Sequence, residues 1–346
     1  MMSKRTVMRA LQPATVFLII SALTTVCAAP KTAAAARTRP KVNAKKIAAP
    51  PAKATTAASA APSAAQSGST TVGGCPVFPA DSAWNQEVRT LAVRGESARW
   101  LRTVNGTGDQ NLHPDFASDP SIGIPYFVVP SSQRLFPVSF DEAPDESDPG
   151  PYPIPLNAPI EQGDDHHVIV VQQGSCRLYE LYHGRPGKAG WVAGGGATFD
   201  LRTNGVRPKG WTSADAAGLA ILPGLVRYDE VKAGVISHAL RVTFPATQQA
   251  FIAPASHAAG TADSALPPMG ARLRLRANVD LSGVTGDALV IVKAMQRYGL
   301  IVADNGSAWF VSGAPDSRWN DDDLAQLKKI PGTAFEFVEN GPIEKA

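Results

Sequence analysis

The chain has 346 residues, with 33 Lys and Arg against 30 Asp and Glu. The charge is uneven: residues 1–73 hold 10 of the basic residues and no acidic one, so 23 basic and 30 acidic residues remain beyond them, a net of −7. An acidic folded part excludes nucleic acid as the expected partner, because neutralising phosphates needs clustered Lys and Arg.

Lys4, Arg5 and Arg9 precede an apolar run from Ala14 to Leu23, and Val26-Cys27-Ala28 follows as a small-residue cleavage pattern. This predicts a signal peptide over 1–28, with an apolar run too short to span a bilayer. The expected location is secreted or periplasmic, with no membrane span. Acylation of Cys27 as a lipoprotein is the weaker reading, because Val26 is larger than such processing prefers. Residues 29–73 are mostly Ala, Pro, Lys, Thr and Ser. They read as a disordered linker, either a plain spacer or a basic tether to an anionic envelope. Residues 74–346 are then one mainly β globular domain. Loss of Cys27 leaves Cys75 and Cys176, and two cysteines in an exported chain predict one disulfide.

Glu96 to Val104 is a short amphipathic helix candidate. Ile122 to Val129, Leu135 to Phe140, Val168 to Val171 and Cys176 to Tyr182 read as strands, the last two forming a hairpin about Gly174-Ser175. Between them, Glu142 to Tyr152 is acidic and Pro-rich, a cleft rim or a weak Ca²⁺ candidate. Asp164-Asp165-His166-His167 has metal-ligand residue types, but adjacent strand positions face opposite ways. Only His167 is therefore expected to point inward, as an acid/base or hydrogen-bonding group. Gly194-Gly195-Gly196 reads as a bulge or tight turn. In Trp211 to Leu219, Ser213 and Asp215 sit among small residues, either as a semi-buried site or as helix caps.

Further strands are predicted at Ala239 to Phe244, Ala271 to Val279, Leu300 to Ala303, Trp309 to Ser312 and Ala334 to Val338. His238 opens the first of these as a candidate proton shuttle or a structural histidine. Arg272-Leu273-Arg274-Leu275-Arg276 alternates strictly. Its arginines form either a solvated face or a basic wall for a carboxylated substrate. Asp287 to Tyr298 is the strongest helix, with Leu289, Val292 and Met295 on one face and Gly299 as its stop. Asp304-Asn305-Gly306 is a turn signal that also brings a carboxylate and an amide near Trp309, the elements of a sugar site. Asn320 is expected to cap Asp321 to Lys329. The chain has no G-x-S-x-G, P-loop, G-x-G-x-x-G, H-E-x-x-H or C-x-x-C motif.

The chain resembles a family of secreted bacterial and fungal proteins. The shared pattern begins with Cys75-Pro76-Val77-Phe78-Pro79, Trp84-Asn85, His113-Pro114-Asp115 and Glu146 to Pro155. It continues with Leu178 to Tyr182, Phe199-Asp200-Leu201, Trp211 to Glu230, His238 to Arg241, Pro268-Met269-Gly270, Tyr298 to Trp309 and Trp319 to Asp322. The resemblance implies a protein of polysaccharide environments and carries no activity with it. Where relatives have an Arg-His pair, this chain has His166-His167, which weakens a metal role there.

The expectation is a β-sandwich or jelly-roll-like single domain with a few short helices. The expected function is a glycan-active enzyme, glycoside hydrolase-like, with Asp215 and Asp304 as carboxylates and His238 as auxiliary proton carrier. Arg241 and Arg274 would hold an anionic group, Trp309 would stack on a sugar, and Asn305 and His167 would complete substrate binding. The expected partner is a polysaccharide or cell-wall glycan, the expected state a monomer, with no cofactor and no metal. Alternatives are a non-catalytic carbohydrate-binding or envelope protein, a uronate lyase and, more weakly, a cell-wall amidase or peptidase.

Overall fold

Four strands build the first sheet, two of them buried over consecutive residues. Its order is Gly195–Asp200, Arg177–Tyr182, Val168–Gln172, Tyr126–Val129 in this computed structural model, which describes residues 70–106 and 110–345. Ile169, Val171 and Leu178 enter the main core, while Val168, Val170 and Leu181 face a second core with Tyr152, Ile154 and Trp191. Both faces are covered, so the strand Val168–Gln172 is apolar throughout its first four residues. The predicted hairpin is present, with Val171 opposite Leu178.

The second sheet has six strands in the order Phe335–Val338, Arg272–Leu275, Leu300–Asn305, Leu240–Phe244, Phe310–Ser312, His113–Asp115. It is mixed. Leu240–Phe244 runs parallel to Leu300–Asn305, and Phe310–Ser312 runs parallel to His113–Asp115. Two three-stranded sheets flank this pair, one of them built on Val138–Phe140 and Trp191–Ala193. Strand outweighs helix, and the domain is mainly β and sandwich-like.

The helix Gly286–Arg297 buries Ala288, Ile291, Val292 and Met295, so its inner stripe lies one position away from Leu289. It stops at Gly299, whose φ of +74° and close approach to the Leu273 carbonyl both demand glycine. Asn320 caps Asp321–Ala325 by accepting from the Asp322 and Asp323 amides. Cys75 and Cys176 are disulfide-bonded across 101 residues. No helix among the described residues is long and apolar enough to cross a membrane.

Three local expectations are corrected. Gly195 and Gly196 open a six-residue strand rather than a turn. A Cβ on Gly196 would lie 2.6 Å from the Phe140 ring, so glycine is needed for close packing. Ser213 and Asp215 cap no helix; the Ser213 hydroxyl accepts from the Asp215 amide at 2.9 Å within an irregular loop. The arginine face of Arg272–Leu275 is not solvated; Arg272 is buried and lines a cavity of about 330 Å³ with Gln86, Val88 and Leu91. Arg272 donates to the carbonyls of Ala83 and Gln86, and Arg274 donates to those of Arg89 and Leu91. The segment 83–91 covers them. Thr71–Val72 pairs with Cys75–Pro76, so residues 71–72, which the sequence assigns to the linker, form a strand. The predicted signal peptide and most of the predicted linker lie outside the described residues.

Candidate functional site

The six-stranded sheet presents a polar patch where its strands alternate. Arg241 and Thr243 lie two apart on one strand, Phe310 and Ser312 on the next, and Asp115 pairs in register with Ser312. Asp304 and Asn305 close the C-terminal end of Leu300–Asn305, with Asp304 beside Thr243. Glu161, Asp165 and His167 face this patch from the segment that leads into Val168–Gln172. The result is a cavity of about 220 Å³ lined by Asp115, Glu161, Asp165, His167, Arg241 and Asp304. A second cavity of about 340 Å³ shares Asp165, Asp304 and Asn305 with it, and adds Glu142, Tyr182, Gly194, Gly195 and the loop Thr212–Ala216. Together they form one cleft between the two large sheets.

Asp215 is fully buried and accepts from Arg241 Nη2 at 2.7 Å and Nε at 3.3 Å. Arg241 Nη1 donates to Ser312 Oγ at 2.6 Å. Burial disfavours the Arg241 charge, but Asp215 more than offsets this and holds the guanidinium above its ordinary value. Asp304 Oδ2 lies 3.8 Å from the same Nη2, and its side chain is 21% exposed. It accepts from the Ala216 amide at 3.3 Å and from the Asn305 amide at 2.7 Å. Burial, then the neighbouring Asp215 charge, push Asp304 up to about 7 against the pull of Arg241. Asp304 is thus an acid that keeps a proton near neutrality and still opens on the cleft.

His167 is buried, with Nδ1 2.5 Å from Glu161 Oε2 and Nε2 2.9 Å from the Ala214 carbonyl. Burial lowers its basicity, yet the Glu161 hydrogen bond and charge win and raise it to about 9. Charged His167 donates to both neighbours and ties the segment 161–167 to the Asp215 loop.

Of the residues expected from sequence, Asp215, Asp304, Arg241, His167 and Asn305 come together. His238, Arg274 and Trp309 do not. His238 Nε2 lies 2.8 Å from Arg227 Nη2 and 3.1 Å from Glu230 Oε2, and it lines neither cavity. Arg274 is bound to Glu336 at 2.8 Å and to backbone carbonyls. Trp309 is fully buried, edge-on to Phe244 at 5.0 Å, with its indole N–H donated to Asn105, so no sugar reaches it. Arg241 is engaged by Asp215 and is not free to hold a substrate anion. Glu142 lies on the cleft, as the cleft-rim reading of its loop expects, whereas Asp115, Glu161, Asp165 and Tyr182 were missed as substrate-site residues. Strand alternation offers no signal for Asp165, because the chain bends at 162–165 and His166 has a φ of +46°. Tyr182 is a half-exposed ring stacked on His183 at 4.0 Å, the aromatic plate of this cleft.

No protein-family model, curated protein or solved structure matches the chain.

Proposed function

We propose that this protein is a secreted or periplasmic glycan-active hydrolase that works by carboxylate acid/base chemistry. The observation that carries the reading is Asp304, a carboxyl group held at about 7 on the wall of an open cleft. In this role Asp304 gives its proton to the glycosidic oxygen as the bond breaks. Asp165, exposed in the same cleft, serves as the second carboxylate, activating water or attacking the anomeric carbon. Asp215 is too buried to touch substrate and acts through Asp304, as the charge that keeps its proton in place. Arg241 limits that effect and orients both acids. Tyr182 offers a face for a sugar ring. The disulfide fits an oxidising compartment outside the cytosol.

The lyase alternative loses support, because it needs a free cation for the uronate carboxylate and Arg241 is already paired. The test is product analysis. Full-length protein is incubated with bacterial, fungal and plant polysaccharides, and new oligosaccharides are sought by mass spectrometry. Hydrolysis adds one water per cleavage, and Asp304→Asn abolishes it. Binding without products in the wild type would make the protein a carbohydrate binder instead. Unsaturated products would make it a lyase.

A further inference from the structure

The basic side chains around the cleft are already committed. Arg241 holds Asp215, His167 holds Glu161 and, at the rim, His183 Nδ1 lies 2.5 Å from Glu142 Oε1. Asp115 and Asp165 line the cavities as well, and no basic side chain among the described residues forms an ion pair with either. The two feel each other: burial raises the pKa of Asp115 first, and Glu161 and Asp165 add to it against Arg241. Burial likewise raises Asp165, with Asp304 and Glu161 adding against His167 and Arg241. Asp115 and Asp165 are therefore the two carboxyl groups of the cleft that no ion pair among the described residues answers, in a site open to a polymer.

A divalent ion does not suit this arrangement, because no group of three His, Cys, Asp or Glu among the described residues is placed to hold one. An organic ammonium asks less. It pairs with one carboxylate and turns its remaining N–H groups to other acceptors. The two joined cavities, about 340 and 220 Å³, share Asp165 at their junction, while Asp115 lies in the smaller one. Successive cationic units of one chain would meet the two acids in turn. We propose that the substrate is a cationic glycan, a polymer with free amino groups on its sugars, whose ammonium groups pair with Asp165 and Asp115. This rests on the cleft being the glycan site, and it adds a role for Asp115, which the hydrolase reading leaves unused.

The test uses calorimetry on full-length Asp304→Asn protein, which binds without turning over. The probes are a glucosamine hexamer, an N-acetylglucosamine hexamer and hexalysine. The inference predicts that the glucosamine hexamer binds at least tenfold tighter than the acetylated one at low salt, with the margin shrinking as salt rises. Asp115→Asn lowers the preference about tenfold without weakening the acetylated hexamer. Binding also releases protons, seen as a dependence of the heat on the buffer's ionisation enthalpy, because each ammonium favours the charged carboxylate. Equal affinity for the two hexamers, or a preference unchanged in Asp115→Asn, overturns the inference. Hexalysine binding as tightly as the glucosamine hexamer also overturns it, in favour of a cationic peptide. The hydrolase reading fails separately: tight glucosamine binding with no cleavage by the wild type would sink that reading and leave this one standing. Cleavage of neutral glycans with no cationic preference would do the reverse.

Discussion

Asp304 and Asp215 differ by what surrounds them. Both touch Arg241, but only Asp304 keeps a partly open face, and only Asp304 is pushed up to about 7. Asp304→Asn is expected to lower kcat by about 10²–10⁴, as loss of a general acid does, while substrate affinity persists. A loss of less than tenfold in steady-state kinetics would remove Asp304 from the chemistry. Arg241→Met leaves buried Asp215 without its cation and is expected to cost about 3–5 kcal/mol in urea unfolding. Adding Asp215→Leu should recover part of that cost, because the stranded charge is then gone. Asp215, Asp304 and Arg241 were legible in sequence as polar groups among small or apolar residues, Asp304 and Arg241 near the ends of strands and Asp215 in a loop. His238 and Trp309 were not separable from them. A histidine that opens a strand reads the same whether it meets Arg227 and Glu230 or a substrate. A tryptophan after a turn shows nothing of the distant Phe244 and Phe335 that bury it.

The element that carries Asp215 is an irregular loop, and it is fastened from the opposite sheet. Glu180 is fully buried on the strand Arg177–Tyr182, and its carboxylate accepts from the Ile221 and Leu222 amides at 3.0 Å. Burial raises it to about 7, and those two amides resist the rise. Glu180→Leu is expected to destabilise the protein by about 1–3 kcal/mol, the cost of stranding buried donors. It should also speed hydrogen exchange at the Ile221 and Leu222 amides ahead of the core strands. Unchanged protection there would mean that the loop is held by its apolar contacts alone. Strands such as Val168–Gln172 and Leu240–Phe244 were readable because apolar and β-branched runs end at turn residues. Gly195–Asp200 was hidden by its opening glycines, which serve close packing against Phe140 rather than a turn. The arginine stripe at Arg272 and Arg274 was read with the right alternation and the wrong surroundings. Nothing local announces that residues 83–91 fold over it.

At the scale of the whole molecule, several buried groups titrate in the same sense. Asp304 and Glu180 are raised to about 7 from ordinary values of 3.8 and 4.5, so the native state keeps protons that the unfolded chain gives up. Their contribution to stability is full below the ordinary carboxylate range and is lost as pH rises through about 7. His167 is raised from 6.5 to about 9, so its contribution is full below 6.5 and is lost as pH rises through about 9. On the acid side, Glu161 is lowered by His167, and Glu230 is lowered to about 2 by Arg227 and His238. Burial opposes both shifts without reversing them. Their contributions are present above the ordinary carboxylate range and are lost as pH falls below it, that of Glu230 through about 2. Thermal unfolding is therefore expected to give its highest Tm in mildly acidic buffer and a steady fall between about pH 6 and 9. A Tm that rises across that interval would contradict these assignments. The disulfide ties the first strands of the domain to its central hairpin. Reducing it, or Cys75→Ser with Cys176→Ser, is expected to cost about 4–5 kcal/mol by chain entropy for a loop of this length.

The most direct test of the central claim is the titration of Asp304 itself. Carboxyl carbon NMR of the wild type and of Asp304→Asn, followed from pH 3 to 9, isolates its resonance. The structure predicts a signal absent from the variant that titrates near 7, with kcat/KM on any glycan substrate falling above the same pH. A midpoint in the ordinary aspartate range near 4 would leave no proton on Asp304 at neutral pH, and the general-acid account would fail.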